Sequence, residues 1–157
     1  MQSQKLTNPF ETVLRFATEW AREQEQRILR EGQPLSADQI ADARAAGVRE
    51  PERVRVLPVD EIPAPPGPIL KAVSAQVEFL PVAPSGLTFQ YGIFLRADRV
   101  QDRYLVAHEL VHTSQYERLG GIVPFLRDYI KECSTLGYRE SSLEREANEI
   151  AAQICAA

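Results

Sequence analysis

The sequence predicts an α+β fold that is mostly helical, and three observations carry that expectation. Apolar residues in the first third recur at helical spacing. The stretch Leu87 to Arg96 alternates residue by residue, the period of a strand. From Asp98 to the end the spacing is helical again, interrupted only at glycines.

Asn8-Pro9 reads as a helix cap followed by proline at the first helical position, where its missing N–H costs nothing. Phe10, Val13, Leu14, Ala17 and Ala21 then form one stripe, which Trp20, Ile28 and Leu29 extend to a stop near Gly32. The far half, Arg22 to Glu31, is densely charged, as a solvated helix face is. Ser36 with Gln39 makes a capping box for a short helix ending near Ala46-Gly47. Arg53-Val54-Arg55-Val56 suggests a short strand. Pro58 to Pro68 holds five of the eleven prolines, which argues against a helix or a central strand and for a stiff connection to a short helix around Ile69 to Ala75.

Leu87, Phe89, Tyr91, Ile93 and Leu95 alternate with Thr88, Gln90, Gly92, Phe94 and Arg96, predicting one strand with an apolar and a mixed face. A helix follows from about Gln101 to Leu119, stopped by Gly120-Gly121. A second runs from about Val123 to Leu136 and breaks at Gly137. Ser141 or Ser142 caps a last helix through about Ile154.

At 157 residues the chain suits one compact body, with residues 1–50 as a helical region packed on a unit spanning 51–157. A net charge of −4 gives no basic field for nucleic acid or an anionic membrane. No apolar run reaches membrane-spanning length, and Met1 to Thr7 lacks the features of a secretory signal, so the expectation is a cytoplasmic protein. Cys133 and Cys155 fit buried thiols on helices; a disulfide between them is the alternative.

Both histidines of the chain fall in one string, His108-Glu109-Leu110-Val111-His112. Residues four apart share a helix face, so the two imidazoles can grip one cation, with Glu109 at the rim as a base. A hydrolytic zinc site needs three protein ligands and an open fourth position. No third histidine exists, which leaves Cys133, Cys155 or a downstream carboxylate such as Glu144, Glu146 or Glu149. Glu144 lies 32 positions after His112 on the last helix, far enough for an intervening helix to return it to the cleft.

HELVH followed by Glu144-Arg145-Glu146-Ala147-Asn148 resembles the gluzincin metallopeptidases. Gln90-Tyr91-Gly92-Ile93-Phe94, then HELVHTSQYE, then Gly137-Tyr138 through Ala147 are similar to the compact minigluzincins and to short bacterial zincin-like proteins. The likeness spans roughly Gly86 to Ala151. It implies a zincin-like plan: a small mixed sheet, an active-site helix carrying HExxH, and a C-terminal glutamate helix. It further implies Zn2+ held by His108, His112 and Glu144. Asn148 matches a position, commonly aspartate, that orients a ligand histidine. The activity implied is hydrolysis of peptide bonds, in a peptide or an unfolded segment, by a metal-bound water that Glu109 deprotonates. Tyr138, with Tyr116 behind it, is the candidate donor to the developing oxyanion.

The Leu87 to Arg96 strand would lie along the cleft and pair with substrate, Gly92 permitting close backbone approach. Gln115 and Tyr116 follow His112 on the same side of the helix and seal the site. Phe10, Phe16 and Trp20 read as core packing or an oligomer contact. Two other readings stand beside the enzyme: a zinc-stabilised binding or regulatory domain with weak or no hydrolysis, and a latent enzyme whose N-terminal helix covers the cleft.

Overall fold

The computed structural model describes residues 8–67, 84–137 and 139–157. The short helix expected around Ile69 to Ala75 and the candidate donor Tyr138 lie outside them.

Helix α1 (Pro9–Glu31) begins where Asn8 Oδ1 accepts the Phe10 N–H at 3.0 Å, and it stops at Gly32, whose N–H reaches Ile28 O. A two-residue strand, β1 (Gln33–Pro34), leads to α2 (Ala37–Ala45). The capping box of α2 is complete: Gln39 N–H donates to Ser36 Oγ at 3.2 Å and Ser36 N–H to Gln39 Oε1 at 2.9 Å. Beyond a single 3-10 turn, Pro51–Arg53, come β2 (Arg55–Val59), β3 (Gly86–Phe89) and β4 (Gly92–Arg96). Three helices finish the chain: α3 (Arg103–Leu119), α4 (Ile122–Leu136) and α5 (Ser142–Ala156). Asp102 caps α3 by accepting the Leu105 N–H, and Gly120 ends it in the left-handed region at φ 103°.

The four strands form one mixed sheet in the order β1-β2-β4-β3, with only β2 and β4 parallel. Two expectations are corrected here. The strand expected at Arg53–Val56 begins at Arg55 and continues through Pro58, inside the sheet. The Arg55 N–H bonds Tyr91 O on the β4 side, so by alternation the Pro58 nitrogen faces the other way. On that side β1 pairs only Arg55 and Val56, so the missing proline donor breaks no ladder bond.

The second correction concerns Leu87 to Arg96, which is a hairpin rather than one strand. Phe89 pairs with Gly92 across a two-residue turn, Gln90-Tyr91, in which Gln90 takes φ 58°. Thr113 Oγ1 secures the turn by donating to Gln90 O at 2.8 Å. Gly92 serves close approach, but to α1 and not to a substrate: a Cβ there would sit 3.0 Å from Ile28 Cβ.

Strand β4 is buried on both faces. Phe94 joins a core with Leu14, Trp20 and Ile28 of α1 and with Phe125 and Ile130 of α4. Ile93 and Leu95 join a second core with Ala43 of α2, Val106 and Leu110 of α3, and Ala147 and Ile154 of α5. The sheet is thus sandwiched, α1 on one side and α3 on the other. Trp20 and Phe89 meet edge to face at 5.2 Å, fixing α1 against β3. No helix among the described residues is long and apolar enough to cross a membrane.

Candidate metal centre

Helix α3 holds both histidines on one face, and α5 packs along it and delivers Glu144. His108, His112 and Glu144 converge as a buried group with one ligand atom each within 4.8 Å of the others. His108 Nε2 and His112 Nε2 are 3.1 Å apart; Glu144 Oε2 is 3.2 Å from the first and Oε1 is 3.1 Å from the second. Tetrahedral zinc with ligands at about 2.0–2.1 Å separates its donors by about 3.3 Å, close to the separations between these ring nitrogens and carboxylate oxygens. Two imidazole nitrogens and a carboxylate oxygen are also a donor set that zinc takes in hydrolytic sites. Glu146 and Glu149 are not in the group. Glu146 instead accepts from Arg118 at 2.9 Å, and Glu149 is exposed. Cys133 and Cys155 are free thiols outside it; burial, with Glu144 nearby, pushes the Cys133 thiol up to about 12.

Gln115, fully buried, sets the tautomer of His112. Its amide Nε2 donates to Leu143 O at 2.9 Å and to Glu146 Oε1 at 3.0 Å. That leaves Gln115 Oε1 as the group facing His112 Nδ1 at 2.8 Å, so Nδ1 carries the proton and Nε2 offers its lone pair to a cation. Asn148, to which the resemblance gives an orienting role, contacts Tyr104 rather than His112. It lies on the exposed side of α5, where its Oδ1 accepts from the Tyr104 hydroxyl at 3.2 Å. The orienting residue was nevertheless visible in the sequence, because Gln115 stands three positions after His112 on the same helix face.

Tyr129 donates to Glu144 Oε1 at 2.6 Å, fixing the carboxylate from α4. Nothing in the sequence announces this contact, which depends on how α4 docks. In the metal-free site the cluster binds protons. Burial alone would lower His112, but the Glu144 carboxylate outweighs it and raises the imidazole to about 9. Burial would likewise raise Glu144, yet the two histidines hold it well below the usual carboxylate range.

Glu109 lies beside the cluster and lines the same cavity. The Thr88 hydroxyl of β3 donates to its carboxylate, and a Cβ on Gly86 would come within 2.8 Å of Glu109 Oε1. The hairpin edge therefore positions the Glu109 carboxylate directly. Tyr116, expected behind Tyr138 as an oxyanion donor, is committed elsewhere: its hydroxyl donates to Thr88 O at 3.0 Å and its ring stacks on Phe125 at 3.7 Å.

No known family model, curated protein or solved structure matches this chain. What the chain offers is the arrangement itself. Its chemistry is a buried site able to hold a metal ion, a carboxylate beside it, and a cavity that both share.

Proposed function

We propose that the chain is a zinc-dependent metallopeptidase of gluzincin type on a zincin-like plan, acting on a peptide or an unfolded segment. One observation carries the reading: the His108–His112–Glu144 cluster and the Glu109 carboxylate line one cavity. Bound at this triad, zinc supplies Lewis acidity toward water and a scissile carbonyl. Gln115 and Tyr129 hold the triad in place for it. Glu109 accepts the proton of the attacking water and returns it to the leaving amine, with Thr88 fixing the carboxylate. Strand β3 is an edge of the described sheet and contributes to the cavity wall, so an extended substrate can add to it as a further strand.

A second reading has an observation of its own. Ala17, Trp20 and Ala21 of α1 also line this cavity, an arrangement that suits a latent enzyme or a zinc-stabilised binding domain as well as an open one. Zinc content and hydrolysis of a peptide library, compared for wild type, Glu109→Gln and His112→Ala, separate these readings. The peptidase predicts zinc without turnover in Glu109→Gln and loss of both in His112→Ala. Wild-type protein that holds zinc and cleaves nothing rules out the open peptidase and leaves the binding domain or the latent enzyme, which a gain of activity on removing α1 tells apart. Wild-type protein without zinc refutes all three.

A further inference from the structure

The cavity beside the cluster has an internal volume of about 60 Å3, several times what one water needs. One end holds the histidines, Glu109 and Glu144. The remainder is mostly apolar and is closed by α1, which lies outside the stretch from Gly86 to Ala151. Ala17 and Ala21 lie one turn apart on one helix face, so their short side chains leave a hollow between α1 and α4. Trp20 stands against Phe89 as a rigid wall, with Phe125 and Leu126 opposite on α4. A ligand filling this space presents a polar bond at one end and an apolar group at the other. A peptide residue with a large apolar side chain has that shape.

We propose that α1 builds the selecting pocket of this site, which takes one leucine- or phenylalanine-sized side chain from a residue flanking the bond to be cut. Ala17 and Ala21 provide the room, and Trp20 limits it. The inference rests on the metallopeptidase reading for its polar end only; the apolar hollow exists without a metal.

Trp20 is the only tryptophan in the chain, so its emission reports occupancy of the pocket without any turnover. The full-length protein, zinc-loaded and metal-free, is titrated with the hydroxamates of N-acetylglycine, N-acetylleucine and N-acetylphenylalanine. Calorimetry gives affinity and Trp20 emission gives location. Each buried methylene strengthens binding about fourfold, so the leucyl and phenylalanyl probes are expected to bind about tenfold or more tighter than the glycyl probe and to shift the emission. Ala21→Leu fills the hollow and erases that gap. Equal affinities across the series on wild-type protein overturn the proposal, whatever zinc does. A ranking that persists on metal-free protein while zinc fails to bind supports the pocket and refutes the peptidase reading alone.

Discussion

Replacing Gln115 by leucine removes a hydrogen-bonding amide from a fully buried position while keeping a side chain of similar bulk, so little cavity is created. Leu143 O loses the amide but keeps its helical partner, because α5 continues past Ala147. Glu146 keeps Arg118. The loss concentrates on His112 Nδ1–H, left buried with no acceptor at the 2.8 Å contact that Gln115 Oε1 supplies. An orphaned buried donor costs about 1–3 kcal/mol. For a chain of this length that lowers the melting temperature by about 2–4 °C per kcal/mol. The imidazole is also freed to turn or to change tautomer, and losing such a partner typically weakens metal binding by roughly 10–100-fold. Two measurements check this: thermal unfolding of the metal-free protein, and zinc affinity by competition with a chromophoric chelator. A Gln115→Leu protein that melts with wild type and holds zinc as tightly would refute the tautomer argument.

Three further outcomes follow from the same contacts. Tyr129→Phe removes the 2.6 Å bond to Glu144 Oε1; hydrogen bonds to charged groups contribute about 1.5–3 kcal/mol, so the metal-free protein should lose stability on that scale, read by denaturant titration. Gly86→Ala should push the Glu109 carboxylate aside, lowering turnover with zinc content unchanged; peptidase assays beside metal analysis decide it. The pH dependence has a definite sign. His112 is raised from 6.5 to about 9, so its pairing with Glu144 stabilises the metal-free fold fully below about pH 6.5 and is lost as pH rises through about 9. Glu144 is depressed, so its contribution is present above about pH 4.5 and is lost in acid. Metal-free protein should therefore melt lower at about pH 10 than at about pH 6, and zinc should abolish that alkaline loss by replacing the proton at Nε2. Equal metal-free melting temperatures at the two values would contradict the assignment.

Helix ends were legible in the sequence because their signals are local. Asn8-Pro9, the Ser36–Gln39 box and Gly120 act within a turn of the residues they cap. The β3–β4 hairpin was not legible, since Gln90-Tyr91 lacks the glycine, asparagine or aspartate that marks a tight turn, and the alternation runs through it unbroken. The metal cluster was half local. The i, i+4 histidines declare themselves, but choosing Glu144 over Glu146 needs the rotation of α5 against α3. Gln115 makes the contact to His112, while that same rotation leaves Asn148 on the solvent side, beside Tyr104.

The hairpin tip has one further consequence. The Tyr91 N–H bonds Glu25 of α1, and its hydroxyl donates to Glu50 after α2 and to Glu117 of α3. The Arg53 guanidinium lies 4.0 Å above its ring. A single residue thus fastens the N-terminal helices to the half of the chain that carries the His108–His112–Glu144 cluster. Starting the chain near Arg53 would strip Ile28 from Gly92, Trp20 from Phe89 and Glu25 from Tyr91, opening the sheet's buried face to water. The cluster belongs to the last third of the sequence, but the body that holds its spacing includes the N-terminal helices.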